Sequence, residues 1–538
     1  MSPTPDHDVI IIGAGHNGLT CAAYLAAAGL RVKIVERRNQ VGGAAVTEEF
    51  HPGFRNSVAA YTVSLLNPKV IADLDLPAHG LRIVERRAQN FLPGPDGRHL
   101  LTGDGRTQTS IASVNADDVE AYNEFVRELE GIADVLRDLV LRPPPNLAAG
   151  LGLTALTELR HAASTANILR HLSLEQQRSL LDLFTRSAGE MLDERFEDDL
   201  VKALFGFDAI VGHYASPYTP GSAYVMLHHA FGEVNGKKGV WGHAIGGMGA
   251  ITQAMAASAR ARGVEIETNA GVREVIVESG RVRGVVLADG RSLRADKVVA
   301  NVNLKLLYTG MIAPDALPDD FLRRMQHWQG GSGTFRMNVA LSALPSFTAL
   351  PGAGDHLTAG IILGPSLGYM DRAWQDARTH GWSREPVVEL LIPSTLDETL
   401  APPGQHVASL FCQHVAPTLP EGRSWDDHRD EVADLMIATV DRFAPGFAAN
   451  VIGRQVLSPL DLEREFGLIG GDIFHGALTL NQLFSARPML GHADYRGPLG
   501  GLYHCGAGAH PGGGVTGAPG HNAARVILGD HRALFARR

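Results

Sequence analysis

The hexapeptide Gly13-Ala14-Gly15-His16-Asn17-Gly18 joins an apolar run to an alanine-rich segment, and it restricts the fold more than any other part of the chain. Residues Asp8 to Gly13 read as a strand buried on both faces, Asn17 to Ala28 as a helix closed by Gly29, and Arg31 to Glu36 as the next strand. A β-α-β unit of this kind places its first turn at the carboxyl edge of a parallel sheet, where ligands collect. Gly13 allows the tight turn, Gly15 lets the backbone approach a pyrophosphate, and Gly18 lets helix and strand pack closely. His16 and Asn17 fill the two variable positions at the helix N-terminus, whose dipole favours phosphate charge. Glu36 ends the second strand, where a carboxylate accepts hydrogen bonds from a ribose hydroxyl and repels a 2′-phosphate. The chain opens with a dinucleotide site.

The choice between flavin and nicotinamide rests on the residues beyond Glu36. Gly42-Gly43-Ala44-Ala45 comes shortly after the acid, so the backbone can pass close to the rest of a long dinucleotide. Only one full fingerprint is visible, whereas flavoenzymes reduced by nicotinamide commonly carry two. Gly246-Gly247-Met248-Gly249 has no clean strand before it. The reading is noncovalent FAD, with no bound NAD(P)H. A second glycine-rich run, His504 to Gly520, has seven glycines in seventeen residues, a density suited to bare backbone lying against a flat ring. The helix after it would direct a positive end at a flavin carbonyl.

The bulk numbers exclude other classes. With 538 residues, 45% hydrophobic and 20% charged, the chain has the balance of a globular protein with a large core. A net charge of −10 argues against nucleic acid as a partner. Cys21, Cys412 and Cys505 form neither a disulfide framework nor a C-x-x-C dithiol. No metal is expected, because the 23 histidines show no ligand spacing. Only Ser2 to His7 precede the first apolar run, which leads to a cytoplasmic expectation, and no stretch approaches the roughly 20 apolar residues of a span, so any membrane contact would be peripheral.

Further along, helical patterns cover Asp117 to Val140 and Thr154 to Phe184, around a break at Pro143-Pro144-Pro145. Leu147 to Leu172 is rich in leucine and poor in carboxylates. A helix at Ile251 to Arg262 precedes strands at Val264 to Thr268, Val272 to Val277, Val282 to Leu287 and Lys297 to Asn301, with hairpin turns at Gly280 and Asp289-Gly290. Phe335 to Leu341, Val387 to Ile392 and His406 to Gln413 suggest a second sheet, followed by a helix at Trp425 to Phe443. Leu502 to Cys505 is a last short strand.

Together the GAGHNG fingerprint, the ERRNQVGGAAVTEE stretch, the GGMGA turn, the FGLIGGDIFHGALTLNQLFSARP segment and the CGAGAHPGGGVTGAPGHNAA terminus resemble the phytoene desaturase-like flavoproteins, nearest the subgroup named pyridine nucleotide-disulfide oxidoreductase domain-containing protein 2. The subgroup's name suggests disulfide chemistry, which the missing C-x-x-C opposes. The resemblance implies an α/β fold of the amine oxidase and phytoene desaturase type. In it a Rossmann-type FAD-binding domain (1-71, 235-310 and 490-538) is interleaved with an α+β substrate domain (72-234 and 311-489). It also implies that Gly13, Gly15, His16, Asn17, Gly18, Glu36, Arg37, Gly43, Ala44, Val272, Gly508, Pro511, Gly513, Gly514 and Val515 line FAD, with Val272 meeting the adenine through its backbone. The implied reaction is hydride transfer from a predominantly apolar, isoprenoid- or lipid-like substrate to the flavin, with oxygen or a quinone as acceptor. His510 is the catalytic candidate, since an imidazole beside a flavin can move a proton; a loop histidine that only fixes backbone geometry is the competing reading. His475, in Gly471-Asp472-Ile473-Phe474-His475-Gly476, could face the cavity, but a satisfied structural histidine is the preferred reading. The rival functions are a flavin amine oxidase, ranked lower for its need of an aromatic cage in a chain with 6% aromatics, and a low-turnover FAD scaffold.

From the single fingerprint and the absent dithiol, neither NADH nor NADPH is expected to bleach the flavin band in stopped flow at a useful rate. Fast, saturable bleaching by either would place the protein among the reductases.

Overall fold

The computed structural model describes residues 7–146 and 153–535. Its first sheet is built on the β-α-β unit. His7–Ile12 pairs in parallel with Val32–Val35 on one side and with Ser292–Ala300 on the other, Ile11 lying opposite Ile34 and Ile10 opposite Val298. Glu265–Glu267 adds outside Val32–Val35, and Leu502–His504 pairs with the end of Ser292–Ala300, giving five parallel strands from well-separated parts of the chain. The middle of the sheet, Val9–Ile12 with Val298–Ala300 beside it, is apolar because both faces are covered. Alanines on the helix His16–Ala27 let the helices Met248–Ala261 and Ala518–Phe535 pack close, and Gly520 crosses where a Cβ would lie 2.2 Å from the Asn17 carbonyl oxygen.

The other half of Ser292–Ala300 turns away into an antiparallel ribbon with Arg281–Leu287 and Val272–Glu278. Gly280 and Gly290 take left-handed conformations at its two turns, φ 71° and 91°, as hairpins of this length require.

A second sheet has the order Val451–Leu457, Phe335–Leu341, His406–Val415, Trp382–Leu391, Gly360–Leu363, Asn90–Pro93, His99–Leu101. The last two strands, which the alternation did not reveal, come from a stretch that is otherwise helical and complete a sheet whose other strands lie more than 200 residues later. Asp118–Val140 and Trp425–Phe443 form as the periodicity indicates. The helix expected at 154–184 is instead two, Leu153–Leu169 and Leu174–Thr185. A capping box interrupts it: the Ser173 hydroxyl accepts from the Gln176 amide while the Gln176 side chain accepts from the Ser173 amide. Residues 147–152 of the leucine-rich run lie outside the described residues. No helix is long and apolar enough to cross a membrane among the described residues.

Gly246 and Gly247 do come after a strand, Gly242–Ala244, but it pairs antiparallel with Ile83–Glu85 and not with the parallel sheet. The first amides of the helix behind them are taken by hydroxyls: Met248 N donates to Ser57 Oγ at 2.9 Å and Gly249 N to Thr47 Oγ1 at 3.0 Å.

Beneath the first sheet, Tyr308 Oη meets His504 Nε2 at 2.8 Å, both residues fully buried. Tyr308→Phe is expected to cost about 1–3 kcal/mol by leaving that ring nitrogen without a partner, read as a lowered melting temperature. An unchanged transition would show that the hydrogen bond contributes nothing.

Candidate functional site

A cavity of about 440 Å³ opens at the carboxyl edge of the first sheet. Gly13, Gly15, His16 and Asn17 line it from the fingerprint, Glu36 and Arg37 from the end of the second strand, Gly43 and Ala44 from the loop beyond, and Val272 from the antiparallel ribbon. These nine expected residues are brought to one place. Gly18 lies behind the wall and serves packing: a Cβ there would fall 2.4 Å from the Gly13 carbonyl oxygen.

The cavity is chemically suited to FAD. The helix His16–Ala27 has no side-chain cap and no acidic residue in its first turn, so its leading amides are free for a phosphate. Glu36 is buried, its Oε2 accepting from Ala14 N at 2.8 Å and its Oε1 from Arg38 N at 2.9 Å, which fixes the carboxylate at the ribose end. His16 Nε2, Asn17 Oδ1, Arg38 Nη1 and His475 Nδ1 are buried without hydrogen-bond partners, and all four residues line this cavity. Buried polar groups are ordinarily paired, so four orphans facing one space fit a ligand rich in oxygen and nitrogen.

Several wall residues carried no signal in the sequence. Asn301 comes directly after the strand Ser292–Ala300 and donates from Nδ2 to the Gly13 carbonyl at 3.2 Å. Arg38 lies over the Phe466 ring at 4.7 Å and pairs with Glu48 at 2.5 Å. Phe466, Gly467 and Leu468 arrive from the end of the helix Pro459–Phe466, and Arg37 Nη2 holds that end through the Arg464 and Glu465 carbonyls at 3.1 and 2.6 Å. His475, read from the sequence as structural, is also in the wall. An acid followed by two arginines was the one available hint, for Arg38.

Gly508, Pro511, Gly513, Gly514 and Val515 are not part of this wall. Gly508 backs onto Leu304 and the His475 carbonyl, Gly513 onto Phe474, and Gly514 onto Leu65. The glycine-rich loop touches the cavity through Ala507. Buried Arg487 fixes this loop by donating to the carbonyls of Ala507 (2.8 Å), Ala509 (3.3 Å), Phe474 (2.8 Å), Gly476, Ala477 and Gln482. Burial lowers its guanidinium to about 10, opposed by the Asp472 charge. His510 is also buried and outside the wall; its Nε2 meets the Leu139 carbonyl at 3.2 Å and its ring stands edge-on to Phe484. Burial brings this imidazole down to about 4. The two thiols Cys21 and Cys505, remote in sequence, are brought into contact in the core.

Beyond Ala44, Ala60 N donates to the Ala44 carbonyl at 2.9 Å, and a polar cluster begins at the next residue. Tyr61 Oη donates to Glu389 at 2.5 Å, and the Arg336 guanidinium lies 4.5 Å from the Tyr61 ring centre. Burial raises Glu389, with Arg86, Tyr61 and Arg336 opposing. Asp208 is raised to about 8 by burial and then by the Glu389 charge.

Glu36→Arg is expected to weaken FAD binding roughly ten- to a hundredfold, measured by quenching of flavin fluorescence, because a charge-assisted hydrogen bond is worth about 1.5–3 kcal/mol. Unchanged affinity would count against the ribose role.

Comparison with known proteins gives the family and the fold. Residues 18–335 match the model of the flavin containing amine oxidoreductase family. The chain is 41% identical over 548 aligned positions to pyridine nucleotide-disulfide oxidoreductase domain-containing protein 2 of Rattus norvegicus, covering 98% of this chain and 94% of the relative. It is 26% identical to the lycopene-forming phytoene desaturase of Pseudescherichia vulneris, covering 94% and 96%. The fold superposes on a putrescine oxidase bound to putrescine with a TM-score of 0.58 at 16% identity, over 98% of this chain and 99% of that one, a likeness of fold alone. The chain belongs to the flavin containing amine oxidoreductase family and is an FAD-dependent oxidoreductase.

Proposed function

We propose that the enzyme is a dehydrogenase, desaturase or isomerase acting on a predominantly apolar, isoprenoid- or lipid-like substrate, with oxygen or a quinone as acceptor. Bound FAD supplies the hydride-accepting ring. The observation that supports the reading is what lies beyond Ala44: the partly buried Tyr61 and Leu65 pack against a buried apolar core cluster that includes Phe125, Phe205, Phe207, Met226 and Phe411. Leu65 also abuts Gly514 of the glycine-rich loop. An apolar surround of this kind keeps water from a site of hydride transfer. The phytoene desaturase likeness points the same way. His510 acts in this reading as a positioning residue, its ring nitrogen holding the Leu139 carbonyl.

The family's name supports a second reading, an amine substrate, and one observation favours it: the buried carboxyls of Asp208 and Glu389 lie beyond Tyr61. Glu389 already has Tyr61, Arg86 and Arg336 to answer its charge, and Asp208, at about 8, is mostly protonated at neutral pH. Neither is then a free anion for an ammonium group, so the apolar reading ranks first.

Anaerobic mixing distinguishes them. Isoprenoid hydrocarbons in detergent should bleach the flavin band, while aliphatic mono- and diamines should not. Steady turnover of a small charged amine, with no response to isoprenoid or lipid compounds, would overturn the proposal in favour of the second reading.

A further inference from the structure

His16 is the first residue of the helix His16–Ala27, directly after Gly15, and His475 belongs to the loop after Gly471, held there in a left-handed conformation with φ 56°. Their sequence positions are 459 residues apart, yet both rings line the cofactor cavity. Each brings a buried ring nitrogen with no hydrogen-bond partner, Nε2 of His16 and Nδ1 of His475. They are also close enough that the charge of His475 disfavours charge on His16.

Most other charged groups around them are already engaged. Glu36 is held by the Ala14 and Arg38 amides and Arg37 by two carbonyls, while Arg38 pairs with Glu48 through Nη2 and keeps Nη1 unpaired as a further donor. Asp472 accepts from Ser332 Oγ and from the amides of Phe474 and Gly476, and Arg487 is spent on carbonyl oxygens. The uncapped helix start next to His16 is where a dinucleotide's diphosphate is seated, bringing two negative charges and unshared acceptor oxygens. Two orphaned imidazoles from separate parts of the chain are what the site holds in reserve for them.

We propose that His16 and His475 form a two-histidine clamp on the diphosphate of FAD, and that binding is coupled to uptake of a proton by the pair. The inference rests on the FAD reading of the cavity and adds a role to His475, which the fingerprint does not include. In the free site, burial and then the His475 charge bring His16 down to about 3, while burial and Arg487 lower His475 against the pull of Asp472. The free pair is therefore neutral in the physiological range. A diphosphate supplies both countercharge and acceptor, which raises the bound-state value. Affinity then rises as pH falls through that raised value, and the gain levels off only near the free-site value of about 3.

The test uses the purified holoenzyme. Release of FAD after dilution is followed by recovery of flavin fluorescence between pH 6.0 and 8.5, alongside NMR of histidine-labelled protein to count imidazolium signals. Release should slow as pH falls, with a limiting slope of about tenfold per pH unit for one coupled proton. His16→Gln and His475→Gln should each flatten that slope, releasing FAD faster than the parent at pH 6 and about equally at pH 8.5. The parent holoenzyme at pH 7 should show an imidazolium that at least one of the two variants lacks, and its persistence in both would overturn the coupling. A yellow protein whose release is independent of pH, or whose slope survives both substitutions, would overturn the proton coupling while leaving the FAD site intact. A folded, colourless preparation that takes up no FAD would overturn both. If one variant fails to fold, the parent pH slope and NMR count still decide the matter.

Discussion

Four glycines converge on one asparagine, and the cofactor crevice depends on how closely they approach it. A Cβ at Gly13 would lie 3.0 Å from the Asn301 carbonyl oxygen, at Gly15 and Gly18 3.0 and 2.8 Å from its Nδ2, and at Gly506 3.3 Å from its Oδ1. Asn301 ends the strand that pairs with both His7–Ile12 and Leu502–His504, so it stands where the two arms of the site meet. A side chain at Gly18 forces the fingerprint turn or Asn301 to shift, and one at Gly13, Gly15 or Gly506 presses on the same asparagine. The glycines are thus a packing requirement before they are a ligand requirement.

Arg487 does for the loops what Asn301 does for the strands. It is a cation in the core with no ion pair among the described residues, and carbonyl dipoles from residues 474–482 and 507–509 take the place of water. Removing it would leave those carbonyls buried and unpaired, which costs more than the hydrogen bonds themselves contribute. The glycine-rich loop is held by this hub and by Tyr495, which donates to the His510 carbonyl at 2.7 Å. It needs little stiffness of its own.

What the sequence made legible was local. The fingerprint, the acid at Glu36, the hairpin turns at Gly280 and Gly290 and the long helix Trp425–Phe443 each depend on residues a few positions apart, and each formed where read. The capping box at Ser173 was legible too, as S-x-x-Q, but a continuous apolar period hid it. Asn301 and Phe466 were not legible as wall residues, and Arg38 and His475 only faintly, because reaching the cavity depends on chain segments that meet only in the fold. The C-terminal glycines were read as ring contacts; three of them, Gly508, Gly513 and Gly514, also let the loop pass Leu304, Phe474 and Leu65. Glycine density announces a close approach without naming what is approached.

The order of strands in the first sheet has a consequence for how the protein is made. His7–Ile12 emerges first from the ribosome, but its neighbour Ser292–Ala300 comes almost 300 residues later, and the strand and helix that complete this half of the molecule, Leu502–His504 and Ala518–Phe535, come last. The second sheet likewise waits for Gly360–Leu363 before Asn90–Pro93 has a partner other than its own hairpin. Contacts this distant in sequence form slowly, and apolar strands stay exposed meanwhile. The nascent chain therefore carries unpaired apolar strands through most of its synthesis, and a truncation before Leu502 removes a strand of the first sheet and Ala507 from a cavity whose first wall residues, Ile12 and Gly13, were translated near the beginning.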